Sequence, residues 1–171
     1  MHNRAEPFIH ALETLLVKQV ELHSSLLDLL KQKHESVREG NPKRMNDICA
    51  LEQERIEHIS TLEKHRVDLS SKIASILCPE QTQPLRVNDI AQMVGGDSSQ
   101  RLLVLRVKLL DKMKQVRDQS AITQRATESL MKHMTGIVQN ITAVSTGTPL
   151  YSQKGVVNPQ GMRVSTLNMT A

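Results

Sequence analysis

The stretch EPFIHALETLLVKQVELHSSLLDLLKQKHESVREGNP, residues 6–42, decides the fold. Phe8, Leu12, Leu15, Leu22, Leu26 and Leu29 follow the alternating three- and four-residue spacing of a coiled-coil seam, with Gln19 as its one polar member. A second row, Ile9, Leu16, Val20, Leu27, Leu30 and Val37, widens the stripe. The spacing therefore predicts a helix over residues 6–38 that packs against two neighbours. Gly40-Asn41-Pro42 ends it and starts the next. Glycine suits the left-handed C′ position, Asn can cap, and Pro is tolerated at the first helical position because its missing N–H would have no helical partner.

Working outward, a second helix is predicted over residues 42–77. Its apolar side includes Met45, Ile48, Leu51, Ile56, Ile59, Leu62, Leu69, Ile73 and Ile76, with Glu52, Glu54, Arg55, Glu57, Glu63, Lys64 and Arg66 on the other side. The short Gly40-Asn41 turn leaves it antiparallel to the first helix, and Pro79 closes it. The connection over residues 79–98 carries two prolines, a short helical segment at 88–94 and a Gly95-Gly96 stop. Ser98 or Ser99 then caps the longest helix, 99–144. That helix is apolar and Leu-rich at first (Leu102, Leu103, Leu105, Leu109, Leu110 and Met113), polar between Val116 and Leu130, and apolar again at its end. Residues 145–171 combine Gly, Pro and hydroxyl residues with only Lys154 and Arg163 for charge, and read as a disordered tail. The expected fold is all-α: an elongated antiparallel three-helix coiled-coil-like bundle over residues 1–144, with a short helix in the helix 2–3 connection and a disordered C-terminal tail.

Composition removes several function classes. With no Trp, one Phe and one Tyr in 171 residues, the chain lacks the rings on which single-stranded nucleic-acid binders stack bases. The net charge of +4 includes no run of five bases, which argues against a nucleic-acid footprint. Cys49 and Cys78 form no CxxC, and Glu6, His10 and Glu13 interrupt any signal-peptide core, so a reduced cytosolic setting is expected. No apolar run is long enough to span a membrane.

No catalytic or cofactor motif is found. No Glu has a His three residues later, as a di-iron bundle needs, and His58 and His65 on a charged flank read as surface residues. Gly95-Gly96-Asp97 lacks the spacing of a phosphate loop, and Cys49 reads as a small packed thiol. The chain is expected to be no enzyme and to hold no cofactor or metal.

A binding surface remains. The first two helices measure about 50 and 54 Å and the third about 69 Å, at 1.5 Å per residue. If the third runs parallel to the first, its end overhangs the Gly40 turn and presents Leu130, Met134, Ile137, Val138, Ile141 and Val144. An apolar stripe of this kind suits a partner helix.

The layout resembles the FlgN family of flagellar export chaperones. Residues 44–77, with Glu54-Arg55 and Arg66, resemble the family's second helix, and residues 102–144 its long third helix. Tyr151-Ser-Gln-Lys-Gly155 resembles the Tyr-x-x-x-Gly element that follows it. Where the family has Asn-x-x-Asn near the centre of that helix, this chain reads Gln119-Ser120 followed by Gln124, so no role of those Asn residues carries over. The resemblance implies a cytosolic, type III export chaperone for the hook–filament junction proteins FlgK and FlgL, holding their C-terminal helical regions and delivering them to the export gate protein FlhA. It also implies that Tyr151 and Gly155 dock to the gate. Two other readings of the residues stand beside it: a non-catalytic coiled-coil adaptor that homodimerises through the third helix, and a nucleic-acid-associated bundle resting on the basic pI alone.

Overall fold

The computed structural model describes residues 2–80 and 83–145, with side chains described from 4 to 142 within those limits. Four helices follow in order: α1 (His2–Arg38), α2 (Pro42–Leu77), α3 (Val87–Val94) and α4 (Gly96–Ser145), with no strand among the described residues. The chain divides into two compact units, Met1–Ala126 and Thr127–Ala171.

In the first unit α1 and α2 are antiparallel, as their polar cross-links show. Gln19 Nε2 donates to Glu63 Oε2 at 3.2 Å, Arg55 Nε to Ser25 Oγ at 3.3 Å, and Lys33 Nζ to Glu52 Oε2 at 2.7 Å. The turn between them is a Schellman motif. Gly40 sits at φ 62, the Asn41 N–H reaches Ser36 O at 3.0 Å and the Gly40 N–H reaches Val37 O at 3.2 Å. Asn41 Oδ1 then accepts from Arg44 N at 3.1 Å, so the predicted cap and proline start are in place. The first part of α4 runs parallel to α1: Arg101 Nε donates to Glu13 at 3.1 Å, and the Thr123 hydroxyl reaches the Leu30 carbonyl oxygen at 3.3 Å.

The core lies where four elements meet. Ala5, Ile9, Leu12 and Leu16 of α1, Ile73 and Ala74 of α2, Ile90 and Ala91 of α3, and Leu102 of α4 form one buried cluster with Leu85 of the connection. The two-turn α3 thus acts as a plug, burying Ile90 and Ala91 completely. This packing explains a boundary the spacing missed. α1 begins at His2 rather than at residue 6, because Ala5 is fully buried and extends the stripe by a turn, and Pro7 is accommodated inside the helix.

The connection also starts its helices earlier than expected. α3 begins at Val87 rather than 88, and α4 at Gly96 rather than 99. Gly95 and Gly96, at φ 66 and 59, serve as both stop and start. The Gly95 N–H bonds to Ala91 O, and the Gly95 carbonyl accepts from Ser99 N at 3.2 Å. Ser98 and Ser99 therefore lie inside the first turn and cap nothing.

Two further expectations are corrected by the packing. Leu51 and Ile56, placed on the apolar side of α2, are exposed, as are Leu110 and Met113 of α4. α1 carries most of the buried surface on both its flanks, so α2 and α4 each lean on α1, and part of the stripe on each outer helix is left to solvent. Conversely, Glu63 and Arg66 belong to a polar layer beside the buried Gln19 and His23. Hydrogen bonding to Arg66, at 2.7 and 2.9 Å, holds the Glu63 carboxyl below its ordinary pKa. It outweighs burial, which pushes the other way, and Gln19 adds to the lowering. A lowered carboxylate pKa contributes stability that is complete above the ordinary value of about 4.3 and fades as pH falls through the folded value. The pair is half-exposed, so the gain is under about 1 kcal/mol. Glu63→Gln should reduce the fall in urea midpoint between about pH 5 and pH 3. A variant with the parent's pH slope would show that the pair contributes nothing.

Candidate functional site

α4 carries a strict seven-residue row: Leu102, Leu109, Val116, Thr123, Leu130 and Ile137. Residues seven apart return to nearly the same face, drifting about 20° per repeat. In the first unit the row is covered, with Leu102 and Thr123 buried and Leu109 and Val116 half-buried.

In the second unit the same row opens. Leu130 is half-buried and Ile137 is 45% exposed; beside them Met134, Val138 and Ile141 are exposed by 57%, 61% and 63%. From 131 to 142 every described side chain is exposed, and Gly136 alone is half-buried. The residues expected from sequence thus share one helical stretch with open apolar side chains. Met131, exposed by 64% and seven residues before Val138, lies on its edge and adds to the residues expected from sequence. The Val144 side chain and both Tyr151 and Gly155 lie outside the described residues, as do residues 146–171 of the segment expected to be a disordered tail, whose first residue, Ser145, instead ends α4.

The chemistry of this stretch is that of a contact surface. Its charged side chains are few, Glu128 and Lys132, with His133 between the apolar positions. Thr135 and Thr142 donate their hydroxyls to the Met131 and Val138 carbonyls of their own helix, at 2.9 and 2.8 Å, so these two donors are satisfied within the helix. Among the described residues no group of three or more His, Cys, Asp or Glu converges on a metal position. His58 and His65 are exposed, and Cys49 and Cys78 are free, half-buried thiols. Cys49 lies near Lys33. Burial pulls the Lys33 ammonium down, but Glu52 and Cys49 together outweigh it and leave its pKa raised. No described helix is long and apolar enough to cross a membrane.

A family model for the FlgN protein matches residues 1–159, nearly the whole chain. The chain belongs to the FlgN family. FlgN proteins are flagellar export chaperones that bind hook-associated proteins, which fits an apolar helical stripe better than any reaction chemistry. The matched region takes in the exposed stripe and continues through Tyr151 and Gly155. Comparisons with curated proteins and with solved structures returned no match.

One feature was invisible in the sequence of this FlgN chain. Between α2 and α4 of the first unit lies an open groove of about 490 Å³, with His23 and Leu26 as its floor and Ile56, Ile59, Met113 and Val116 among its walls. Periodicity placed Ile56 and Met113 on apolar faces, but periodicity does not say which neighbour covers a face. The missing cover is a tertiary fact.

Proposed function

We propose that this protein is a cytosolic chaperone that holds the C-terminal helical regions of FlgK and FlgL on the stripe made by Leu130, Met134, Ile137, Val138, Ile141 and Val144. The observation that carries this reading is the continuation of one heptad row from a covered stretch of α4 into an uncovered one. A client helix with a matching apolar row would cover it in the way α1 covers the earlier positions. Such a client segment must be apolar to polymerise, and while unassembled it is prone to aggregate. Reversible covering by mass action keeps it soluble until export. The test is capture of the C-terminal segments of FlgK and FlgL by the full-length protein. A stable homodimer that captures neither segment would favour the adaptor reading instead.

Delivery requires a second contact that works while cargo is bound. Tyr151 is the one Tyr of the chain and stands four residues before Gly155. We assign these two to docking on the export gate protein FlhA, since an aromatic ring is an efficient anchor in a partner pocket. Tyr151→Ala should leave helicity and client affinity unchanged while weakening gate binding by about 2 kcal/mol, or roughly thirtyfold. Measuring both affinities side by side decides it. Equal gate affinity with and without the ring would leave Tyr151 without a role in docking.

A further inference from the structure

We infer that the groove between α2 and α4 of the first unit is a second docking site, taking one amphipathic helix with an acidic flank from a protein other than this chain. Its shape supplies the first argument. Leu26 and His23 of α1 form the floor, Ile56 and Ile59 of α2 one wall, and Met113 and Arg117 of α4 the other. The α4 wall continues over the small residues Ser120 and Ala121 to Gln124, so from Met113 it runs about 16 Å, three helical turns. Ile56 and Met113 are 43% and 47% exposed, although both sit on the apolar faces of helices packed against α1. A helix laid between α2 and α4 would cover both and complete a four-helix layer.

Charge specifies the occupant. Lys and Arg balance Asp and Glu in α1 and in α2, whereas α4 from 96 to 126 has seven bases against three acids. Arg117 lines the groove with its side chain 77% exposed, and its one ion pair among the described residues is with its neighbour Asp118, at 3.7 Å. Arg106, eleven residues earlier and so on the same face, is in no ion pair among the described residues, and neither is Lys114. On α2 the carboxylates stand outside the lining: Glu52 and Glu63 are held by Lys33 and Arg66, each at 2.7 Å, and Glu57 accepts from Gln53 at 2.9 Å. Arg117 is the one Arg or Lys among the groove's lining residues and no carboxylate lines it, which selects a negative flank on the incoming helix.

The chain's own segments have the wrong sign. Residues 146–171 carry Lys154 and Arg163 with no acid, and residues 127–145 of a second copy would bring Lys132 and His133 against Glu128 alone. Neither offers the acidic flank. The inference is independent of the client stripe, which lies in the other unit.

The test uses the full-length protein and two synthetic 18-residue helical peptides with the same Leu stripe, one flanked by Glu and one by Lys. Methionine methyl NMR separates the sites, because Met113 lies in the groove and Met131 and Met134 on the stripe. The Glu-flanked peptide should shift the Met113 methyl and leave Met131 and Met134 in place. Its affinity should fall at least tenfold in R106E/R117E and be unchanged in I137D, while the Lys-flanked peptide should gain in the double variant. Equal binding of both peptides, an unmoved Met113 methyl, or loss of binding in I137D would each overturn the proposal.

Discussion

Leu102→Asp should unfold the protein. Leu102 is fully buried in the cluster that joins α1, α2, α3 and α4, so the substitution removes a Leu side chain and puts a carboxyl group in its place. Truncating such a residue alone costs about 2–5 kcal/mol, and burying an unpaired polar group adds several more. A domain of this size has a total stability of about 5–15 kcal/mol, and a narrow aliphatic bundle has no aromatic core in reserve. The expected readout is loss of the cooperative thermal transition in circular dichroism at neutral pH. A variant that melts within about 1 kcal/mol of the parent would mean that Leu102 is not core.

Ile137→Asp should do the opposite. It lies on the same seven-residue row, five repeats further along the same helix, yet its side chain is 45% exposed. The stability change should stay under about 1 kcal/mol, within the ordinary range for surface positions. Client capture should fall by several kcal/mol, more than about a hundredfold, because the new carboxylate would be buried without a partner once a client helix covers the row. Calorimetric titration with a FlgK or FlgL C-terminal segment, run beside a melting curve, gives both numbers. If Ile137→Asp collapses the fold as Leu102→Asp does, the row is covered within the protein itself and the client surface lies elsewhere.

The contrast between these positions also marks how far the sequence could be read. The long helices, the Gly40-Asn41-Pro42 turn and the cap at Asn41 were legible because each rests on local chemistry: period, left-handed φ and a side-chain acceptor. The stripe from Leu130 to Ile141 was legible as apolar spacing. The start of α1 was not, because burial of Ala5 depends on α3 and α4 arriving from far along the chain. Nor was the helix start at Gly96, where two positive-φ glycines join α3 to α4 almost without a linker. The exposure of Ile56 and Met113 was hidden for a related reason. Three helices of similar periodicity can be arranged with any pair left open, and only the packing selects which.

Thr123 carries one more consequence. Its hydroxyl lies 3.0 Å from the Gln119 carbonyl and 3.3 Å from the Leu30 carbonyl, so one proton is shared between its own helix and α1. A strict seven-residue row is translationally degenerate: sliding α4 along α1 by one repeat lays apolar residue on apolar residue again, at little energetic difference. Together with the Arg101–Glu13 ion pair, the hydroxyl breaks that degeneracy. In an alignment shifted by one repeat an aliphatic residue of the row would stand at the Leu30 carbonyl in its place, and Arg101 would lose Glu13. Thr123 thus works as an index mark, giving up some packing so that the two helices have one alignment rather than several.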